Sequence, residues 1–354
     1  MNYKKNIRLN CSITPQTENN KCKVFKFFQI QTKLYLPLIQ LDRENIQMID
    51  TDLKLPEWYD FEEEHCHDVS EGEEKSFDGE ARSYRGLIKN TPGCSTSACN
   101  ALSQQLIHQM NVMNPDTLVS FDDLNVNLKN AAFPYLQAPA KAALAKAIKE
   151  RGKTMTVNSG YRTIAQQLLL FNWGRGCGYP VVARPGRSNH QSGLAIDIND
   201  HNGWKPYLQK HGWRWFGNND KPHFDYVSSG ARDIRKATMQ AFQQLWNENN
   251  QTEKLVVDGM WGSQTAKCLN ESPAFGFKIA PWDKIPRLLK FSTPMMEGTD
   301  VFKMQKALKD KGFNIKPDGY YGKGTAEIVK QFQDRAGIGV DGLVGQNTLG
   351  KLFA

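Results

Sequence analysis

No run of 18 consecutive apolar residues occurs in the 354-residue chain, so the sequence offers no membrane-spanning helix. Nor does an apolar stretch follow Lys4, Lys5 and Arg8, and the mild run from Phe27 to Ile39 is broken by Gln29, Gln31 and Lys33. No signal peptide is therefore recognised. The seven cysteines are odd in number and scattered, which is not the pattern of a disulfide framework, although Cys94 and Cys99 are close enough to pair. His65 and His67 with Cys94 and Cys99 match no structural-zinc spacing. A net charge of +8 is compatible with polyanionic partners, but no nucleic-acid-binding module accompanies it, and nucleic acid is excluded as a partner.

What is present is unevenly distributed. Residues 1–114 are polar, carry the acidic segment EWYDFEEEHCHDVSEGEEK and lack a long periodic element, so they read as a flexible extension, with a short helix over Ala98–Met113. Such an acidic segment on a basic chain could cover a cleft until removed. From about residue 115 the pattern tightens. Leu136, Ala140, Leu144 and Ile148 recur at helical spacing, and Gly152 ends that run. TMTVNSGY reads as a strand entering a turn, TIAQQLLLFNWG as a helix, and LAIDI and HFDYV as short strands. These elements predict an α+β domain over 115–228, with a small antiparallel sheet and flanking helices. Trp204, Trp213 and Trp215 are read as core. His108, His201 and His211 are read as surface or core groups.

Beyond residue 228 the texture becomes repetitive. VDGMWGSQTAKCL, PDGYYGKGTAEIV and VDGLVGQNTLGKL share D-G-x-x-G-x-x-T. Each Asp-Gly marks a tight turn, and Thr265, Thr325 and Thr348 are placed to cap the following helices. The second and third copies predict an all-α three-helix module over 293–354, with Val301, Met304 and Leu308 on one helix and Ile328, Val329 and Phe332 on the next. The first copy predicts a partial or divergent module over 231–278. FSTPMMEGTD reads as the linker between them.

The stretch SNHQSGLAIDIND, followed by NDKPHFDY, carries the chemistry. His190, Asp197 and His223 supply two imidazoles and a carboxylate, the donor set of a hydrolytic zinc site that leaves a fourth position to water. If LAIDI and HFDYV are neighbouring strands, His223 meets Asp197 across the sheet, while Gly193 lets the chain bend after His190. Asp220, three residues before His223, is placed to take a proton from an attacking water. Arg162 is placed to hold a substrate carboxylate or a developing oxyanion. Asp200 and Asp225 are read as solvated or supporting carboxylates.

At these residues the chain resembles a known family. S-x-H-x-x-G-x-A-x-D, here Ser188, His190, Gly193, Ala195 and Asp197, is similar to the zinc signature of the VanY-like D-alanyl-D-alanine carboxypeptidases, whose relatives include L-alanyl-D-glutamate endopeptidases. Ser159, Gly160, Tyr161, Arg162, Thr163 and Gln167 match an upstream motif of that family, and Asp220, His223 and Phe224 a closing one. Asp220 stands where many carboxypeptidases have Glu and where the endopeptidase branch often has Asp. The resemblance implies zinc on His190, Asp197 and His223, Asp220 as general base and Arg162 as stabiliser of the transition state. It also implies substrate binding by Tyr161, Gln167 and Ser188. The repeats resemble peptidoglycan-binding three-helix modules. Together these imply a monomeric, extracytoplasmic (periplasm or cell wall) zinc metallopeptidase that removes terminal D-alanine from the stem peptide of peptidoglycan. The alternatives are endopeptidase cleavage within the stem and a non-catalytic wall-binding protein.

Overall fold

The computed structural model describes residues 82–179 and 182–354. The acidic stretch, the histidines at 65 and 67, and the proposed covering role of the extension lie outside the described residues.

The centre is a five-stranded sheet in the order β2-β4-β5-β7-β6. Its strands are β2 (Val126–Leu128), β4 (Met155–Ser159), β5 (Ala195–Ile198), β6 (Trp213–Trp215) and β7 (His223–Tyr226). Pairing is antiparallel, as expected, except for the parallel β2–β4 pair. A separate antiparallel pair joins β1 (Val119–Ser120) to β3 (Tyr135–Leu136). Side chains alternate across a strand. Ile196 and Ile198 of β5, with Phe224 and Tyr226 of β7, therefore enter one core, and Asp197 and His223 are left on the opposite face. That core is closed by α2 (Ala138–Arg151) and α4 (His201–Lys210) through Leu144, Ile148, Trp204 and Leu208. Trp213 is buried there, and Trp215 packs against it while half-buried. Leu136, expected on the helix, belongs to β3, because Pro139 stands at the first turn of α2 and fixes its start.

A second core is built from helices. α1 (Asn100–Met113), α3 (Ile164–Trp173), α5 (Arg235–Asn249) and α6 (Ser263–Asn270) share one apolar cluster that includes Leu102, Leu106, Leu168, Phe242, Leu245 and Leu269. The helix expected within the extension is present as α1, and it is buried along most of its length. The helices of the 231–278 segment pack on α1 and α3 instead of forming a core of their own. Cys94 bonds to Cys177, not Cys99, with Cα atoms 5.5 Å apart across 83 residues of chain. Cys99 is buried and reduced.

The last module has its own core. Val301, Met304 and Leu308 of α7 (Thr299–Asp310) meet Val329 and Phe332 of α8 (Lys323–Arg335) and Leu352 of α9 (Gln346–Leu352). The expected linker is no loose tether, since Gln104 of α1 donates to the Met295 carbonyl at 2.7 Å and accepts from the Glu297 amide at 3.0 Å.

The repeat turns obey one rule. Gly259, Gly319 and Gly342 all adopt positive φ. In the third copy the Gln333 amide nitrogen donates to Asp341 at 2.8 Å, to the Leu343 carbonyl at 2.9 Å and to Thr348 Oγ1 at 3.2 Å. Its oxygen accepts from the Gly342 amide at 2.8 Å. Gln305 makes the same set around Asp318, Gly319, Tyr320 and Thr325. Gln243 grips Asp258, Gly259 and the Met260 carbonyl in the first copy. The threonines do not cap the helices as expected. Glycines occupy those cap positions. Each hydroxyl instead donates back to a turn carbonyl: Thr265 to Met260, Thr325 to Tyr320 and Thr348 to Leu343. The threonine lies inside the helix, past the point from which a side chain reaches the free amides of the first turn.

Candidate metal centre

Asp197 and His223 are direct cross-strand partners in the β5–β7 ladder, as the two-strand expectation required. His190 arrives from a 3-10 turn, Asn189–Ser192, which Gly193 ends at φ 62°. Three ligand atoms converge. His190 Nε2 lies 3.2 Å from His223 Nδ1, and 3.2 Å from Asp197 Oδ2. His223 Nδ1 lies 3.0 Å from Asp197 Oδ1. In a tetrahedral site with metal bonds near 2.0–2.1 Å, ligand atoms stand about 3.3 Å apart, so the cluster has the dimensions of a small-cation site. Among the described residues this is the group placed to hold a metal ion.

The far nitrogens of both rings are also engaged. His190 Nδ1 lies 2.8 Å from the Gly160 carbonyl, which makes it the N–H donor and turns the Nε2 lone pair to the cluster. His223 Nε2 donates in the same way to Asp225 Oδ1 at 3.0 Å, which leaves Nδ1 as the nitrogen that faces the cluster and ligates once its proton is lost. Asp225 is buried, and it also accepts from Asn189 at 2.9 Å. It is thus a supporting carboxylate. Asp200 is a different case, capping α4 and pairing with Arg151 away from the cluster.

Charge in the cluster follows from this geometry. Burial pushes the Asp197 carboxyl up, but His190, His223 and Arg162 outweigh it and hold Asp197 well below the usual carboxylate range. Burial works against a charged His223, yet hydrogen bonds from its ring to Asp197 and Asp225 raise it to about 9. Desolvation, then the nearby Arg162 charge, lowers His190.

Arg162 ends the turn after β4, one residue before Thr163, which closes a capping box with Gln166 at the start of α3. Its guanidinium donates to Asp197 Oδ2 and Ser159 Oγ, both at 3.1 Å, and to Gln167 Oε1 at 3.2 Å. The turn needs Gly160, because a Cβ there would sit 2.4 Å from the Phe133 carbonyl oxygen. Asp220 lies on an exposed turn, Asn218–Asp220, between β6 and β7. Desolvation first, and then the Asp197 charge, raise its carboxyl despite the pull of His223 and Arg162. Phe216, exposed, meets the His223 ring edge-on at 5.3 Å and forms an apolar wall beside the cluster.

The three residues that the resemblance assigns to substrate binding are all buried. Tyr161 is 1% exposed, with its hydroxyl 3.0 Å from Thr238 Oγ1. Gln167 is also buried, spent on Arg162 and on the Ala183 carbonyl. Both position other groups. Ser188 is buried as well and precedes the His190 turn. Motif matching gave no sign of Thr238 or of the Ser159 contact to Arg162, since neither is identified by its spacing to the histidines.

Residues 135–233 match the profile of the VanY family, D-alanyl-D-alanine carboxypeptidase. Residues 297–352 match that of a putative peptidoglycan binding domain. Among similar proteins is a probable N-acetylmuramoyl-L-alanine amidase of Bacillus licheniformis, 40% identical over 109 residues, covering 28% of this chain and 30% of that one. Another is the N-acetylmuramoyl-L-alanine amidase CwlH of Bacillus subtilis (strain 168), 30% identical over 163 residues, covering 39% and 64%. A spore cortex-lytic enzyme of the same Bacillus subtilis strain is 39% identical over 80 residues, covering 21% and 26%. The chain spans about a third of the length of the first curated relatives it matches.

Proposed function

From a chain that carries a VanY-type domain ahead of a peptidoglycan-binding domain, we propose a zinc-dependent peptidoglycan hydrolase that removes terminal D-alanine from the stem peptide. The observation that carries this reading is the convergence of His190 Nε2, Asp197 and His223 Nδ1, with the opposite ring nitrogens engaged by Gly160 and Asp225. Two imidazoles and one carboxylate suit zinc. When bound there, the ion supplies a Lewis acid and makes a water nucleophilic near neutral pH.

The chain's own groups do the rest. Asp220 accepts a proton from the attacking water as its oxygen bonds to the scissile carbonyl carbon. Arg162, fixed by Ser159 and Gln167, stabilises the oxyanion. Asp220 returns the proton to the amine as the C–N bond breaks. The C-terminal module keeps the enzyme on the polymer and raises its local concentration. Action outside the cytoplasm fits both this substrate and the Cys94–Cys177 bond, which persists in oxidising compartments.

Defined muropeptides digested with the zinc-loaded protein and read by mass spectrometry test the reading. Loss of one alanine is the expected result. A stem split between L-alanine and D-glutamate would mean endopeptidase action. Release of the whole stem from the glycan would mean the activity after which several relatives are named. Stoichiometric zinc with no product would leave a wall-binding protein and overturn hydrolysis. Asp225→Ala is expected to weaken zinc binding by roughly 10–100-fold in a chelator competition, because the His223 ring loses the partner that orients it. Unchanged affinity would show that Asp225 does not set that ring.

A further inference from the structure

The segment that resembles a divergent wall-binding module reaches the metal centre. The start of α5 grips the 3-10 turn that carries His190. Buried Thr238 Oγ1 donates to the Gln191 carbonyl at 3.1 Å and accepts from the Tyr161 hydroxyl at 3.0 Å. Ser192 donates to Asp233 at 3.2 Å, and Arg235 to the Arg187 carbonyl at 3.1 Å. One hydroxyl thus joins the turn holding Gly160 and Arg162 to the turn holding His190. Between those turns runs the His190 Nδ1–Gly160 bond that aims Nε2 at the cluster. Apart from a longer 3.3 Å approach to the Ile234 carbonyl, every polar contact of Thr238 Oγ1 lies in these two turns.

We propose that Thr238 is a positioning residue of the metal centre, so that the helix ahead of the first repeat turn serves the hydrolytic domain. This rests on the zinc reading above. Without the hydroxyl, the two turns lose one of the links between them and keep only the His190 Nδ1–Gly160 bond and the bond from the Arg162 amide to the His190 carbonyl, so the backbone that carries the His190 ring is held less firmly. The Gln191 carbonyl and the Tyr161 hydroxyl are then left unpaired in a buried place.

The test compares Thr238→Val with Thr238→Ser, and with Thr348→Val, a control that removes a buried threonine hydroxyl in the last repeat turn, far along the chain. Zinc affinity, measured by competition with a chelator, should fall roughly tenfold or more in Thr238→Val, in the range seen when groups behind metal ligands are removed. It should return to near the parental value in Thr238→Ser and stay parental in Thr348→Val. Tyr161→Phe removes only the other end of the bridge, should shift affinity in the same direction, and serves if the valine variant does not fold. In the metal-free proteins, amide exchange across 186–193 should speed up in Thr238→Val and not in Thr348→Val. Unchanged zinc affinity in Thr238→Val, or an equal loss in Thr348→Val, would overturn the proposal. Should the parent protein take up no zinc, the zinc reading fails, and the exchange comparison alone judges the bridge: unaltered exchange at 186–193 then overturns it.

Discussion

Asp220→Ala is expected to retain parental zinc and to lose hydrolysis by about 10²–10⁴-fold in kcat, the usual contribution of a positioned acid–base group. The two outcomes separate because Asp220 supplies none of the three converging ligand atoms. It stands on an exposed turn beside them, held by the short β6–β7 connection rather than by the cluster. Desolvation and the neighbouring Asp197 charge raise its carboxyl. A raised carboxylate is the stronger base, and its conjugate acid still protonates a departing amine. Metal analysis and steady-state kinetics on defined muropeptides check both halves. A fully active alanine variant would remove Asp220 from the mechanism, and loss of zinc along with activity would make it part of the metal site instead.

The second large effect concerns stability. Cys177→Ser is expected to lower the free energy of unfolding by roughly 2–5 kcal/mol, read as a lower urea midpoint. The bond closes a loop whose ends are 83 residues apart in sequence, and within it lie α1, α2, α3 and four strands. Joining such distant points removes many conformations of the unfolded chain. Cys94→Ser should match it, since either change opens the same loop. Among the described residues the free thiols, Cys99 and Cys268, are both buried and cannot readily substitute. Burial pushes Cys99 up to about 12, and its sulfur is engaged with Ser103. An unchanged midpoint in both serine variants would show that the bond contributes nothing.

The convergence of His190, Asp197 and His223 was legible because its geometry is local. Period-two alternation puts Asp197 and His223 on the face opposite Ile196 and Phe224, and two short strands on either side of a helix meet in register. Gly193 could be read too, since its bend is a property of one residue. Other features were hidden for physical reasons. The helix α1 was expected but its burial was not, because Gln104, Gln105 and Gln109 read as surface residues, yet they are buried with their amides satisfied by Met295, Phe277 and Gln244. A buried glutamine with a full set of partners has the composition of a surface residue. The cysteine pairing depended on where α3 ends in space, which spacing along the chain does not reveal. The repeat turns showed their Asp-Gly pair at once, but their glutamines stand at unequal distances upstream and escape any fixed pattern.

Those glutamines change what the repeat signature means. Every bond of the three-way clasp, from amide to aspartate, glycine and turn carbonyl, is made within one short length of chain. The clasp is present at Gln243 as it is at Gln305 and Gln333, although the helices around Gln243 have joined another core. D-G-x-x-G-x-x-T therefore records a self-contained corner of folding, a joint between two helices. Two chains that share it share a way of turning. Whether they grip the same polymer is decided by residues the signature does not include.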